Sequence, residues 1–213
     1  MIRIITVERE YGSQGAEFAQ HLASRLNWKL IDQCLVEDVA RKGGVTREQA
    51  EEFDERLDPW YYRMGKAFLH GSMDRLPGLP EDQVFDSERV VGLVHDCLHE
   101  ATEAGNCVVV GRGAACVLTG VPKTFHVFVY ASMSRKIRWF EKNFPDHAKN
   151  AEEEILETDK RRAAYIKRFH DRDWNDRRLY HLMMNSCMGF DAMVSATIDA
   201  AGLTSLVEAQ KVG

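Results

Sequence analysis

Apolar and polar positions fall into alternating blocks along the chain, short β-branched runs giving way to longer stretches with helical spacing. "IRIITV" (Ile2–Val7) is the pattern of a short buried parallel strand. Gly12–Asn27 follows as a predicted helix, with Phe18, Leu22 and Leu26 on one face at a spacing of four. "WKLID" predicts a second short strand ending at Asp32. Leu35, Val36 and Val39 predict a helix that stops at Gly43 and Gly44, and Thr46–Gln49 has the form of a capping box opening another. From Asp58 to Pro80 the pattern breaks, with three of the five prolines among aromatics and methionines, so this stretch reads as an insertion. Gln83–Glu103 then predicts a long amphipathic helix stopped by Gly105. "CVVVG" (Cys107–Gly111) and "FHVFVY" (Phe125–Tyr130) predict buried strands. A helix follows from Ser132, another spans Glu152–His170, "YHLMMNS" (Tyr180–Ser186) predicts the last strand, and helices close the chain from Gly189. Strands alternating with helices predict an α/β fold, a parallel sheet of about five strands with helices on both faces. Ligands bind at the carboxyl ends of such strands. Glu8–Gly15, the residues around Asp32, and Gly111–Gly113 all fall there.

Composition narrows the partners. The chain has 213 residues, 45% hydrophobic and 29% charged, and no run approaches the ~20 apolar residues of a membrane span. The start "MIRIITVERE" enters a strand at once, which predicts no secretion leader and a cytoplasmic protein. Five scattered cysteines form no C-x-x-C pair, so metal and redox motifs are unsupported, and Cys107 and Cys116 read as small core residues. A net charge of −5 gives no field for nucleic acid. Thr158–Arg178 nevertheless holds eight Lys/Arg against four Asp, a local +4 that leaves −9 for the rest. A basic patch on an acidic chain points to a small anionic ligand.

"EREYGSQGAEFA" (Glu8–Ala19) is a strand exit, a glycine-bearing turn and a helix N-terminus. Open N–H groups and the helix dipole there favour phosphate. Gly12 and Gly15 permit close backbone approach, and Ser13 offers a hydroxyl. The same loop also reads as the tight turn every α/β protein needs. It matches neither G-x-x-x-x-G-K-[ST] nor G-x-G-x-x-G, although Asp32 lies ~20 residues after Gly12, where a dinucleotide-binding fold places its ribose acid.

Several ordered motifs together resemble the cytidylate kinase-like family, a branch of the P-loop nucleoside monophosphate kinases. They are "REYGSQG" (Arg9–Gly15), "GRGA" (Gly111–Ala114) after a strand, and "DKRRAAYIKRF" through "RDW" (Asp159–Trp174) before Y-x-L-x-x-N-S (Tyr180–Ser186). The resemblance covers Ile2 to about Asp199 and is weakest from Asp58 to Pro80. It implies one kinase-like domain over residues 1–213, with a helical acceptor-binding insertion at 33–91 and a lid-like basic segment at 144–178. It implies ATP and Mg²⁺ as cofactors and CMP or dCMP as acceptor. Laid without gaps on ordinary cytidylate kinases, Arg9 takes the place of the first loop glycine and Gln14 the second. Gly15 stands at the catalytic lysine and Glu17 at the magnesium-binding threonine.

Other residues are then expected to carry those roles. Gly12, Ser13, Gln14, Gly15 and Ala16 are the candidate phosphate cradle. Arg9, read as part of the loop, is the candidate replacement for the lysine, and also a surface partner for Glu8, Glu10 or Glu17. Arginine offers a fixed charge and bidentate donors to phosphate. Arg112 matches a substrate-phosphate arginine of the family. Asp32 reads as a substrate ligand or a helix cap. Arg162, Arg168 and Arg172 are candidate catalytic charges and Lys167 a substrate contact, though one helix cannot point them all inward. Glu17 is the candidate Mg²⁺ ligand. Tyr165 and Trp174 read as packing anchors. Beside the kinase reading stand a nucleotide-sensing module without turnover, a kinase for another small acceptor, and a nicotinamide-dependent oxidoreductase.

Overall fold

The computed structural model describes residues 1–31 and 87–210. The chain divides into two compact units, Met1–Asp32 with Thr102–Gly213, and Gln33–Ala101. The second unit therefore runs ten residues past the insertion read from the sequence. Its described part lies on helix α2 (Ser87–Glu103), where Cys97 and Leu98 are buried. Asp32, the helices expected through Leu35–Val39 and from Thr46, the Asp58–Pro80 stretch and residues 83–86 lie outside the described residues.

The first unit is built on five parallel strands. They are β1 (Ile4–Arg9), β2 (Lys29–Ile31), β3 (Cys107–Val110), β4 (Thr124–Tyr130) and β5 (Leu182–Asn185), in the order β2-β3-β1-β4-β5. The central strand β1 pairs Ile4 with Cys107 on one side and with Thr124 on the other. Strands covered on both faces must be apolar at consecutive positions, and β3 is buried throughout its four residues.

One face of the sheet is covered by α1 (Gly15–Leu26), α6 (Phe190–Ala200) and α7 (Thr204–Gln210). Phe18, Leu22 and Leu26 of α1 meet Ile5, Val7, Val108, Val110, Val127 and Val129. All three helix side chains are fully buried, each contributing about 1.5–3 kcal/mol of transfer free energy. The other face carries α3 (Ala114–Val117) and α5 (Ala151–His170), with Ala115, Ile166, Trp174 and Tyr180 packed around Phe128. Trp174 meets Phe128 edge-on at 5.3 Å. A third cluster joins α4 (Met133–Asn143) to α5 through Phe140, Ala151 and Ile155, with Tyr11 against it. On the same sheet face as Phe128, burial pushes the His126 ring down to about 4, with Thr6 Oγ1 2.8 Å from its Nδ1. Burial likewise holds the Cys107 and Cys116 thiols up at about 11, so neither is a reactive thiolate.

Three boundaries differ from the sequence reading. The first helix begins at Gly15 rather than Gly12, because Gly12 (φ +74°) and Gln14 (φ +64°) are left-handed and cannot continue a right-handed helix. Arg9 is the last residue of β1, paired with Val129, and not part of the loop. β5 spans four residues, because Arg177–Leu179 and Ser186–Met188 wind into 3₁₀ turns on either side. Among the described residues no helix is long and apolar enough to cross a membrane.

Candidate active site

The alternation of β1 sends Arg9 and Glu8 to opposite faces of the sheet. Arg9 lies on the α1 side. A Cβ placed on Gly15 would overlap Arg9 Cβ and stand 3.3 Å from Val129 Cβ, so α1 begins hard against the Arg9 stem. A Cβ on Gly111 would overlap the Arg9 guanidinium. The arginine thus fills the space a side chain at position 15 would need, and its charge ends at the exit of β3. There Gly111, Arg112 and Gly113 are left-handed in succession, at φ +66°, +62° and +67°. Glycine adopts this conformation readily, whereas a non-glycine residue costs about 1–2 kcal/mol. Arg112 therefore sits in backbone strain beside the Arg9 guanidinium, the kind of strain that collects at functional sites.

The loop itself is tightly tied. Ser13 is fully buried, and both its N–H (3.3 Å) and its hydroxyl (2.8 Å) donate to the Glu10 carbonyl. Its expected hydroxyl contribution to a phosphate is spent inside the loop. The first bond of α1 runs from Phe18 N–H to the Gln14 carbonyl, so the N–H groups of Gly15, Ala16 and Glu17 belong to the open first turn. Glu17 Oε1 accepts from Trp139 Nε1 at 3.3 Å, which holds the candidate metal ligand against α4.

Beneath the loop lies a cation that the sequence reading missed. Lys136 of α4 is buried. Its Nζ donates to Asp159 Oδ2 at 2.8 Å and to Glu10 Oε2 at 3.1 Å. Burial draws its pKa down, but hydrogen bonds and charge from Asp159 and Glu10 outweigh this and hold it above its ordinary value. The backbone and Cβ of Lys136 lie 3.2 Å from where a Gly12 Cβ would be, so Gly12 is needed for close approach as well as for its φ. Asp159 Oδ1 also accepts from Tyr11 N–H at 2.7 Å, and Glu10 Oε2 from Ala131 N–H at 3.1 Å. Lys136 follows Met133 by three and precedes Phe140 by four, placing it in the apolar stripe of its helix. That spacing was the available signal.

The basic segment divides. Arg162 of α5 donates to the Arg9 carbonyl at 3.0 Å, lies 4.0 Å from Asp159, and stacks over Tyr11 at 5.6 Å. It anchors α5 to the loop. Lys167 pairs with Asp171 at 2.6 Å, both exposed. Arg168 is exposed with its guanidinium over Phe169, and Arg172 is exposed. Helical periodicity turns Lys167 and Arg168 away from the face of Arg162, and Arg172 lies beyond the end of α5.

Glu8, on the opposite sheet face, is buried, and its Oε2 accepts from Trp174 Nε1 at 3.4 Å. Burial raises its pKa above 4.5, opposed by the charge of Arg9, the Trp174 hydrogen bond and the charge of Arg162. A raised carboxyl binds its proton more tightly folded than unfolded. Its stability contribution is therefore fully present below pH 4.5 and is lost as pH rises through the folded pKa. Urea denaturation from pH 4.5 upward is expected to show this falling component in the parent chain and not in Glu8→Gln. Parallel pH profiles would refute it.

The comparisons agree with the fold. A structure of an uncharacterized protein from Eubacterium ventriosum ATCC 27560 superposes with a TM-score of 0.67 at 22% identity, covering 95% of this chain and 99% of that one. Shikimate kinase from Bacteroides thetaiotaomicron gives 0.52 at 15% identity, covering 93% and 98%. Shikimate kinase from Acinetobacter baumannii, in complex with shikimate, gives 0.52 at 14%, covering 96% and 95%. At these identities the likeness shows the fold alone, one shared with these shikimate kinases. No curated protein matches the chain. Residues 4–187 match the cytidylate kinase-like family, and the chain belongs to that family.

Proposed function

We propose that the protein transfers the γ-phosphoryl group of ATP to a nucleoside monophosphate, CMP or dCMP. The carrying observation is the exchange between Arg9 and Gly15. The position of the usual loop lysine is vacated, and an arginine from β1 fills that space and directs its charge to the Gly111–Gly113 turn. Phosphoryl transfer needs positioning and charge neutralisation more than covalent chemistry. In this reading the N–H groups of Gly15 and Ala16 hold phosphate oxygens, and Arg9 takes the lysine's part. Arg112 orients the acceptor phosphate. Mg²⁺ supplies charge compensation on the nucleotide. Glu17 would hold it only through the carboxylate oxygen that Trp139 does not engage. Asp32 and residues 33–91 are assigned to the acceptor, as the family resemblance implies. The protein acts in the cytoplasm on small molecules, with neither nucleic acid nor membrane as partner.

Purified protein mixed with ATP, Mg²⁺ and each nucleoside monophosphate in turn is expected to release ADP with CMP or dCMP. Arg112→Ala is expected to raise the acceptor KM by about tenfold or more, the worth of a charged hydrogen bond. No ADP with any acceptor would overturn the reading. A nucleotide-sensing module is the second reading, favoured by the sealed Ser13 hydroxyl and the Glu17–Trp139 bond. It predicts ATP binding without turnover.

A further inference from the structure

We infer that Arg135 is a phosphate-binding residue of the α1 site, placed to grip the terminal phosphates of a nucleoside triphosphate. This rests on the phosphotransferase reading and adds a residue that no motif marks. α4 runs beside the first turn of α1. Arg135 Nη2 donates to Gln14 Oε1 at 3.4 Å, while Trp139, one turn on, donates to Glu17. Gln14 is the left-handed N-cap of α1, and its side chain makes no capping bond. Its amide is turned to the guanidinium instead.

The charges around Arg135 are mostly positive, the Glu17 carboxylate being the one acid in the first turn of α1. A helix N-terminus carries partial positive charge. Arg135 adds a full positive charge beside it and is bonded to a neutral amide. Among the described residues no carboxylate lies within ion-pair distance of Arg135, and its Nε is buried without a hydrogen-bond partner. Glu17, the acid of that first turn, directs Oε1 to Trp139. The adjoining Lys136 is already neutralised by Glu10 and Asp159, and Arg162 is committed to the Arg9 carbonyl and Asp159. Two positive groups side by side, with a buried donor unspent, call for an anion between them. A di- or triphosphate held by the first-turn N–H groups is such an anion, and guanidinium binds phosphate oxygens through two parallel donors.

Calorimetric titration of ATP, and separately of inorganic pyrophosphate, into the full chain tests this. Arg135→Gln is expected to weaken both ligands by about tenfold or more, Arg135→Lys by less, and Arg138→Gln, on an exposed position of the same helix, not at all. Wild-type affinity in a folded Arg135→Gln protein would overturn the assignment while leaving the kinase reading standing. Wild-type protein that binds neither ligand would overturn both. If Arg135→Gln melts below the wild type, Arg135→Lys decides: undiminished affinity for both ligands, without the guanidinium's paired donors, would count against the proposal.

Discussion

Replacing Lys136 with methionine is expected to lower unfolding free energy by about 3 kcal/mol. Its side chain is 6% exposed and holds Glu10 and Asp159 at 3.1 and 2.8 Å. Removing it leaves two carboxylates facing a buried gap. Breaking a buried pair costs about 3–5 kcal/mol. The lower end applies because Glu10 and Asp159 keep 24% and 16% side-chain exposure and other N–H donors. For a chain of this size the melting temperature falls by on the order of 10 °C. Asp159→Asn in the same background is expected to restore part of the loss, since one stranded charge is gone. Circular dichroism melts of the three proteins decide it. A loss under about 1 kcal/mol would mean that water screens the cluster as it does surface pairs.

Gly15→Lys, which puts a lysine where the family resemblance implies the loop lysine, is expected to destabilise the protein by about 2–3 kcal/mol and to give no gain in ADP release. The obstruction is the Cβ of Arg9, near the backbone, so no rotamer change clears it. Arg9→Gly combined with Gly15→Lys removes the obstruction and is expected to recover most of the lost stability. Urea midpoints of the single and double variants give the coupling. Additive effects, or a stable single variant, would show that the two positions do not exclude one another.

How much was legible follows from which interactions are local. The buried strands announced themselves, since a parallel strand covered on both faces must be apolar at consecutive positions, as Val108–Val110 are. Phe18, Leu22 and Leu26 marked the inner face of α1 because a helix buried on one side is apolar at every third or fourth position. The start of α1 was misplaced because side-chain pattern does not reveal the sign of φ at Gly12 or Gln14. Arg9 was assigned to the loop because the residue that ends a ladder is fixed by its pairing with Val129, far along the chain. Lys136 and Arg135 escaped notice in "MSRKIRWF", which reads as a charged surface. Their partners lie at Glu10, Gln14 and Asp159, on other elements. Among Arg162, Lys167, Arg168 and Arg172, composition gave the charge but not the face.

The bonds that fasten α5 to the loop bind two events into one equilibrium. If α5 lifts, Tyr11 N–H loses its acceptor, the Arg9 carbonyl its donor and Lys136 one of its counter-charges. Loop order and helix docking therefore share a coupling free energy, and linkage makes that coupling reciprocal. A ligand that orders the loop holds α5 down by the same amount that a docked α5 tightens the ligand. The basic segment is in this sense part of the loop's own thermodynamics, a second handle on it reached from a helix of 20 residues rather than from the loop's few glycines.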